Sequence, residues 1–584
     1  MDNQVATVIR TTEKLHEFDE SRIQHINLEG DYVSDAMQDY LSYLNPLRAV
    51  IIYAPMGSGK NTFNETYFCD YEENQIGKKL YVSNRISLDI SVKQRLREKK
   101  GVYPNIEPRG LRDISSYGNI EVITYQSLAG KLSDSDWCVQ FDCVVFDECH
   151  FLCADAMFNP NCGRLLYSIP RVFMNAKRIY MTATVNRVLP YIVDAECFLE
   201  ANTRWKLRYS GNSKYARNFQ RMIPYDKVLN ELLCSEGHYA YDKPIPLVLE
   251  KRADYSYIDL RFIFDKSDIV EIVNASNYKS LVFVDNKNYG KELAEEIDAD
   301  YIDSDTKDEP SASDNPNILE MIISNEKSER NIVSTSVLCN GINLKDPELK
   351  QIFIQCDDED TLIQMIGRKR IEKGEKITVY ILVPSKRKIY YRLDRARKII
   401  GYINLSKNDN ESFMRTLIKD SDMYNSLQGI IYMHNNCYKF DSMTEEMYKR
   451  CIINYENILT MLDDEHSVGY CKMICSWLGK EFCEDMLVVD YELRNSFLCW
   501  IESYVGRSLG EDEFEEFSNE FQRRAKEAYK SKYTGRDDRT DGYRALNNHF
   551  RKLNLDYCFM VKDRNYTLIR IDDSYKIEEQ ENVR

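Results

Sequence analysis

The stretch Ala54-Pro55-Met56-Gly57-Ser58-Gly59-Lys60-Asn61-Thr62 constrains the fold more than any other part of the sequence. It follows an apolar, β-branched run from Ala49 to Tyr53 and precedes a polar stretch of helical length. A strand, a glycine-rich turn and a helix in that order aim successive backbone N–H groups at a polyphosphate, while Lys60 neutralises its outer oxygens. Taken alone, Gly57 to Gly59 also reads as a flexible loop; the strand before it favours the phosphate cradle. Pro55, Met56, Gly57, Ser58, Gly59, Lys60, Asn61 and Thr62 are therefore candidate nucleotide contacts. Asn61 stands where such loops place a Ser or Thr hydroxyl on Mg²⁺, so either the Asn61 carbonyl or Thr62 must serve there.

A second signal follows at Val144-Val145-Phe146-Asp147-Glu148-Cys149-His150, where an apolar strand delivers two carboxylates to its C-terminal end. Ligands of parallel sheets bind at that end. Asp147 suits a Mg²⁺ ligand and Glu148 the orientation of an attacking water, against the alternative of an ordinary acidic strand end.

The chain around these motifs alternates. Ala49 to Tyr53, Lys79 to Val82, Val122 to Thr124, Val144 to Phe146 and Arg178 to Met181 read as strands separated by helix-length polar stretches. A second alternating region runs from near Pro246 to Val383, with strands at Ser280 to Val284, Asn331 to Ser334, Gln351 to Gln355 and Ile377 to Leu382. Such alternation predicts parallel sheets with helical crossovers. A length of 584 residues, 43% hydrophobic and 29% charged, suits several domains of about 150 residues each. The expected division is a helical N-terminal extension (1–45), a first lobe (46–203), a connecting segment (204–245), a second lobe (246–385), a helical accessory region (386–490) and a C-terminal domain (491–584).

With these motifs in order, the sequence resembles the superfamily two helicases of the DExH type. Thr182-Ala183-Thr184 is similar to the family motif that couples hydrolysis to lobe movement. Thr335 to Asn343 is similar to the second-lobe motif that touches nucleotide and strand, and Gln364-Met365-Ile366-Gly367-Arg368-Lys369-Arg370 to the arginine-finger motif. The resemblance covers roughly Leu47 to Leu382. Within the family, the Ala-Pro-Met-Gly-Ser-Gly-Lys loop, the Val82 to Leu88 segment and the compressed Gly-Arg-x-Arg spacing are nearest the herpesvirus-type origin-binding helicases and their relatives in large DNA viruses and mobile elements.

The resemblance implies an α/β fold of two tandem RecA-like lobes, parallel sheets with helices on both faces. It implies ATP and Mg²⁺ bound between them by Lys60, Asp147, Glu148, Gln364, Arg368 and Arg370, with Gly341 and Asn343 as further nucleotide contacts. Relatives separate the last two arginines by two residues; here one intervenes, which leaves open whether Arg368 or Arg370 is the finger. The resemblance further implies that Arg85, Thr124, Gln126 and Thr335 lie along a nucleic-acid path, that Thr182 and Thr184 couple the lobes, and that proteins of replication or of a mobile element are partners. The activity implied is unwinding or translocation on nucleic acid, DNA rather than RNA. A remodelling ATPase that does not separate strands, or a nucleotide-gated scaffold with weak hydrolysis, are the alternatives.

The last segment is read from its own residues. Phe521 to Arg570 holds 13 Lys or Arg against 6 Asp or Glu, a local +7 in a chain whose net charge is −16. Helix candidates at Glu492 to Val505, Glu511 to Lys530 and Tyr543 to Leu553 precede two strands, Tyr557 to Val561 and Tyr566 to Ile571. That order suggests a winged helix presenting Arg544, Asn547, Asn548, His549, Arg551 and Lys552 to a groove, with Lys562 and Arg564 at the wing tip. A helical bundle with a solvated basic face is the alternative. Seventeen scattered cysteines suit free thiols in a reducing compartment. Cys471, Cys475 and Cys483, with His466 nearby, fit helical burial better than zinc; Cys149, His150, Cys153 and Cys162 look more like a metal cluster, but the first two belong to a motif with another job. The apolar runs fall short of the roughly 20 residues a span requires, so a soluble intracellular protein without membrane contact is expected.

Overall fold

The computed structural model describes residues 23–571 apart from 45, 47, 68–76, 85, 107, 133, 197–244, 306–321, 323–325, 340–342, 373, 435–436, 464–466, 489–490, 530–541, 554 and 563–564. The connecting segment expected at 204–245 therefore lies, but for its last residue, outside the described residues, as do Arg85, Gly341, Arg564 and His466.

Eight strands form the first sheet: β1 (Gln24–Asn27), β2 (Val50–Tyr53), β3 (Lys78–Ser83), β4 (Ser116–Tyr117), β5 (Ile120–Thr124), β6 (Phe141–Phe146), β7 (Lys177–Thr182) and β8 (Leu247–Glu250). Their spatial order is β1-β8-β2-β7-β6-β3-β5-β4. Every pairing is parallel except β4 with β5. Val50 to Ile52, Leu80 to Val82 and Val144 to Phe146 are buried, as continuous apolar strands covered by helices on both faces must be.

Two expectations are corrected here. The segment before residue 45 is not helical throughout, because Gln24–Asn27 is an edge strand. Leu247–Glu250, expected to open the second lobe, instead lies between β1 and β2 of the first sheet.

The second sheet holds β9 (Ile258–Ile263), β10 (Lys279–Phe283), β11 (Ala299–Ile302), β12 (Asn331–Ser334), β13 (Leu349–Ile354) and β14 (Ile377–Leu382), all parallel, in the order β11-β12-β10-β13-β14-β9. Two parallel sheets flanked by helices make a tandem RecA-like pair. Beyond them come helices and a short hairpin, β15 (Ile431–His434) with β16 (Cys437–Phe440). Among the described residues no helix is long and apolar enough to cross a membrane. Cys149, Cys153, Cys162, Cys471 and Cys475 are free and buried, whereas Cys483 is exposed.

One helix of the accessory region, Ser442–Asp463, serves both lobes. At its start Asp441 accepts amides from Met443 (2.8 Å) and, across the chain, from Gly163 (3.0 Å) and Arg164 (3.2 Å) of the first-lobe helix Cys162–Val172. A Cβ at Gly163 would lie 2.3 Å from the Asp441 carboxylate, so this close approach requires glycine. Met443 and Met447 join the first-lobe core, while Ile458, Leu459, Met461 and Leu462 join that of the second. Asp441→Ala leaves three amides without their acceptor and is expected to cost about 2–4 kcal/mol, read as a lower urea midpoint. An unchanged midpoint would show that this cap contributes nothing to stability.

The C-terminal segment has an aromatic core of its own, drawn from Phe497, Phe514, Phe517, Phe521, Phe550, Phe559 and their neighbours. Its element order is helix Tyr491–Glu502, β17 (Ser508–Leu509), helix Glu511–Tyr529, helix Tyr543–Lys552, β18 (Tyr557–Lys562) and β19 (Asn565–Arg570). The strands pair antiparallel in the order β17-β19-β18.

Candidate active site

The phosphate loop leaves β2 and turns into α1 (Lys60–Thr66). Gly57 and Gly59 take φ of +78° and +85°, a left-handed conformation that side chains resist, so the two glycines allow the turn. A preceding segment braces it: Val33 donates its amide to the Ser58 carbonyl (2.8 Å), and a Cβ on Gly59 would lie 3.4 Å from Tyr32. The Lys60 ammonium is buried and donates to the carbonyls of Ala54 (2.6 Å) and Pro55 (3.0 Å). Burial pushes its pKa down, opposed by the charges of Glu148 and Asp147. Asn61 is half-buried and Thr62 exposed.

The end of β6 brings Asp147 and Glu148 to the same place. Asp147 accepts from the Tyr81 hydroxyl (2.6 Å) and from the Glu148 amide (3.0 Å). Burial and the neighbouring Glu148 push its carboxyl up. Glu148 holds φ of +50°, an uncommon conformation for a non-glycine residue that sites of function concentrate. Burial works against its charge, but the hydrogen bond from His150 and the positive charges of Lys60 and Arg368 outweigh it and hold Glu148 well below the usual carboxylate range. Its Oε2 is buried, with His150 Nδ1 at 3.3 Å.

The second lobe supplies the opposite wall. Asp358 caps α2 (Glu359–Ile366) by accepting the Thr361 amide at 2.9 Å, which fixes the helix carrying Gln364 on its buried face. Just past its end, Arg368 donates from Nε to the Gln364 carbonyl (3.0 Å) and places Nη2 2.8 Å from the Met56 sulfur. Arg370 donates from Nε to Asn343 Oδ1 (2.8 Å), and its Nη1 would lie 3.4 Å from a Cβ on Gly57. A Cβ on Gly367 would meet that sulfur at 2.3 Å, so the lobes touch at the phosphate loop. Arg187 of the first lobe pairs with Asp358 (3.1 Å) and Asp360 (3.2 Å) of the second.

His150, which sequence reasoning passed over except as a doubtful metal ligand, links these parts. The Thr182 hydroxyl donates to the Thr184 carbonyl (3.0 Å), so it accepts from His150 Nδ1–H at 3.1 Å. His150 Nε2 then accepts from the Gln364 amide at 2.7 Å. A chain of hydrogen bonds thus runs from the second lobe to Thr182 and Thr184 beside the carboxylates. The position of His150 in Asp147-Glu148-Cys149-His150 was the available signal.

The structure brings Lys60, Asp147, Glu148, Gln364, Arg368, Arg370 and Asn343 to one cleft. Thr124 lies at the end of β5, where its hydroxyl accepts the Ser127 amide (3.2 Å) as a helix cap, and Gln126 next to it is exposed. Thr335 follows β12 and is half-buried. Arg544, Arg551 and Lys562, in the C-terminal segment, are exposed. Of Lys552 only the backbone is described. Asn547 is corrected: it donates to the Phe559 carbonyl (3.2 Å) and accepts the Phe559 amide (2.7 Å), so it pins its helix to β18 instead of facing a groove.

The residues fit a triphosphate and a divalent cation. Two left-handed glycines shape a cradle, a buried ammonium and two arginines line it, and the Asp147 and Glu148 carboxylates stand near the ammonium. Asp147 with Asn61 or Thr62 would hold Mg²⁺, which would supply positive charge to the phosphate oxygens.

Residues 5–187 match the family model ResIII, Type III restriction enzyme, res subunit. No curated protein matches the chain by sequence. Among solved structures, Mycobacterium smegmatis helicase Lhr bound to ssDNA and AMP-PNP is similar at 15% identity and a TM-score of 0.40, over 71% of this chain and 59% of that one. S. cerevisiae Dbp5 bound to RNA and ADP BeF3 is similar at 11% identity and a TM-score of 0.36, over 57% of this chain and 79% of that one. The Escherichia coli DEAH/RHA helicase HrpB is similar at 15% identity and a TM-score of 0.37, over 61% and 43% of the two chains.

Proposed function

We propose that this chain is an ATP-driven helicase or translocase that moves along nucleic acid, DNA in preference to RNA. The observation that carries the reading is the approach of Arg368 and Arg370, from the second lobe, to the phosphate loop of the first. A guanidinium that reaches transition-state charge only across a closed cleft ties hydrolysis to lobe motion. Lys60 neutralises the outer phosphate oxygens, Glu148 takes the proton of the attacking water, and Asn343 and Gly341 complete the nucleotide contacts. The Gln364–His150–Thr182 chain carries cleft closure to Thr184 and the first-lobe grip on the strand.

Arg85, Thr124, Gln126 and Thr335 form the strand path in this reading, since such donors hold phosphates without reading bases. The compressed Gly367-Arg368-Lys369-Arg370 spacing supports a place among herpesvirus-type origin-binding helicases and mobile-element relatives, and so a role in replication.

ATP turnover measured with single-stranded DNA, duplex DNA, forked DNA and RNA tests the proposal. Stimulation by single strands with unwinding of a tailed duplex is expected. Stimulation by duplex without strand separation would replace the helicase by a remodelling ATPase.

Asn61 supplies a separate prediction. Its carbonyl is a poorer partner for Mg²⁺ than a hydroxyl that also orients the loop, so phosphate release is expected to be measurable in the native chain and several-fold faster in Asn61→Thr. Tight ATP binding with no turnover by either chain, under any nucleic acid, would favour a nucleotide-gated scaffold.

A further inference from the structure

We propose that the C-terminal module holds a second nucleic-acid site, specific for double-stranded DNA, in which helix Tyr543–Lys552 enters the major groove and Lys562, at the end of β18, meets a flanking phosphate. The inference goes beyond the motor reading and uses none of the cleft geometry.

The helix divides cleanly. Leu546, Phe550 and Leu553 are buried in the module's own core. Arg544, Asn548 and Arg551, spaced by four and three residues, stand exposed along one opposite face. The helix has no acidic residue. Neither arginine pairs with a carboxylate among the described residues: Arg544 donates to the Tyr543 hydroxyl (3.1 Å), and Arg551 to Asn548 Oδ1 at a long 3.5 Å. Asn547 locks this helix to β18, and the exposed Lys562 stands at the strand's far end.

Charge is sorted within the module. Residues 543–570 carry six Lys or Arg against two Asp, whereas helix Glu511–Tyr529 carries seven Asp or Glu against three Lys or Arg. A local excess of positive charge in a chain of net charge −16 favours a polyanion at this end of the module.

The residue types narrow the polyanion. In the major groove arginine donates twice to the guanine edge, and asparagine donates to adenine N7 while accepting from its N6 amino group. A helix about 10–12 Å across fits the roughly 12 Å major groove of B-form DNA. The same groove in duplex RNA is deep and narrow and shuts side chains out. Single strands are held by stacking on open aromatic platforms. Here Phe514, Phe517, Phe521, Phe550 and Phe559 are consumed by the core.

The test uses the full chain and fluorescence anisotropy, with labelled 25-base-pair mixed-sequence DNA, duplex RNA of the same sequence and the single strand as probes. The native chain should bind duplex DNA more tightly than duplex RNA. Arg544→Ala with Arg551→Ala should weaken duplex DNA binding at least about 30-fold and flatten the salt dependence by about two. Lys398→Ala with Arg415→Ala removes the same charge from exposed positions in the accessory region and should change affinity less than about threefold. Lys562→Ala, outside the core, should flatten the salt dependence by about one. Duplex affinity unmoved by the first pair, or moved equally by both pairs, overturns the proposal, as does equal binding of duplex RNA. Loss of ATP turnover with this duplex affinity intact would sink the motor reading alone.

Discussion

Glu148→Gln is expected to bind ATP as tightly as the native chain and to hydrolyse it about 10²–10⁴-fold more slowly, the range of a lost general base. The carboxylate sits just past β6 in a left-handed conformation, with Oε2 buried 3.3 Å from His150 Nδ1. His150, Lys60 and Arg368 keep it ionised despite its burial. An ionised carboxylate beside the phosphate loop can accept a proton from water. Glutamine keeps the shape but cannot accept that proton. Phosphate release reads the loss and a fluorescent nucleotide reads the affinity. Turnover above about a tenth of native would remove Glu148 from the chemistry.

Arg370→Ala is expected to lower ATP turnover by at least about 10³-fold, or about 4 kcal/mol of barrier, with little change in ATP affinity. Asn343 holds the Arg370 guanidinium, and its remaining Nη1 is directed at the phosphate loop. Burial, reinforced by Arg368, pushes its pKa down to about 10, so it remains charged at neutral pH but poorly solvated. Such a cation gains most when negative charge grows on the transferring phosphoryl group. Arg368 has Nε on the Gln364 carbonyl and turns Nη2 to the Met56 sulfur, so Arg368→Ala should cost less. Arg370→Lys keeps charge without the fork and should rescue little. Equal losses at both positions would mean that the two arginines share the role.

Much of the first lobe was legible because its strands are buried on both faces. Ala49 to Tyr53 and Val144 to Phe146 announce themselves as unbroken apolar runs, and the chemical motifs sit at their ends. Gln24–Asn27 was not legible, since its residues are half-buried or exposed and carry no apolar alternation. Leu247–Glu250 falls in the region assigned to the second lobe, but its partners are β1 and β2, far away in sequence, and local pattern is silent on such pairing. Helix Ser442–Asp463 shows an ordinary amphipathic pattern; that its two ends fill different cores depends on tertiary placement alone. Asn547 was misread for a related reason. A polar residue on a basic helix looks solvated until the backbone of β18 arrives beside it.

The central claim is that two lobes pinch one triphosphate, with Lys60 on one side and the arginines on the other. A crystal structure with Mg²⁺ and a non-hydrolysable ATP analogue tests it most directly. The account predicts γ-phosphate oxygens within ~3 Å of both Lys60 Nζ and a guanidinium nitrogen of Arg368 or Arg370, the length of a charge-assisted hydrogen bond. An analogue held by the first lobe alone, with both arginines turned away from it, would contradict the account.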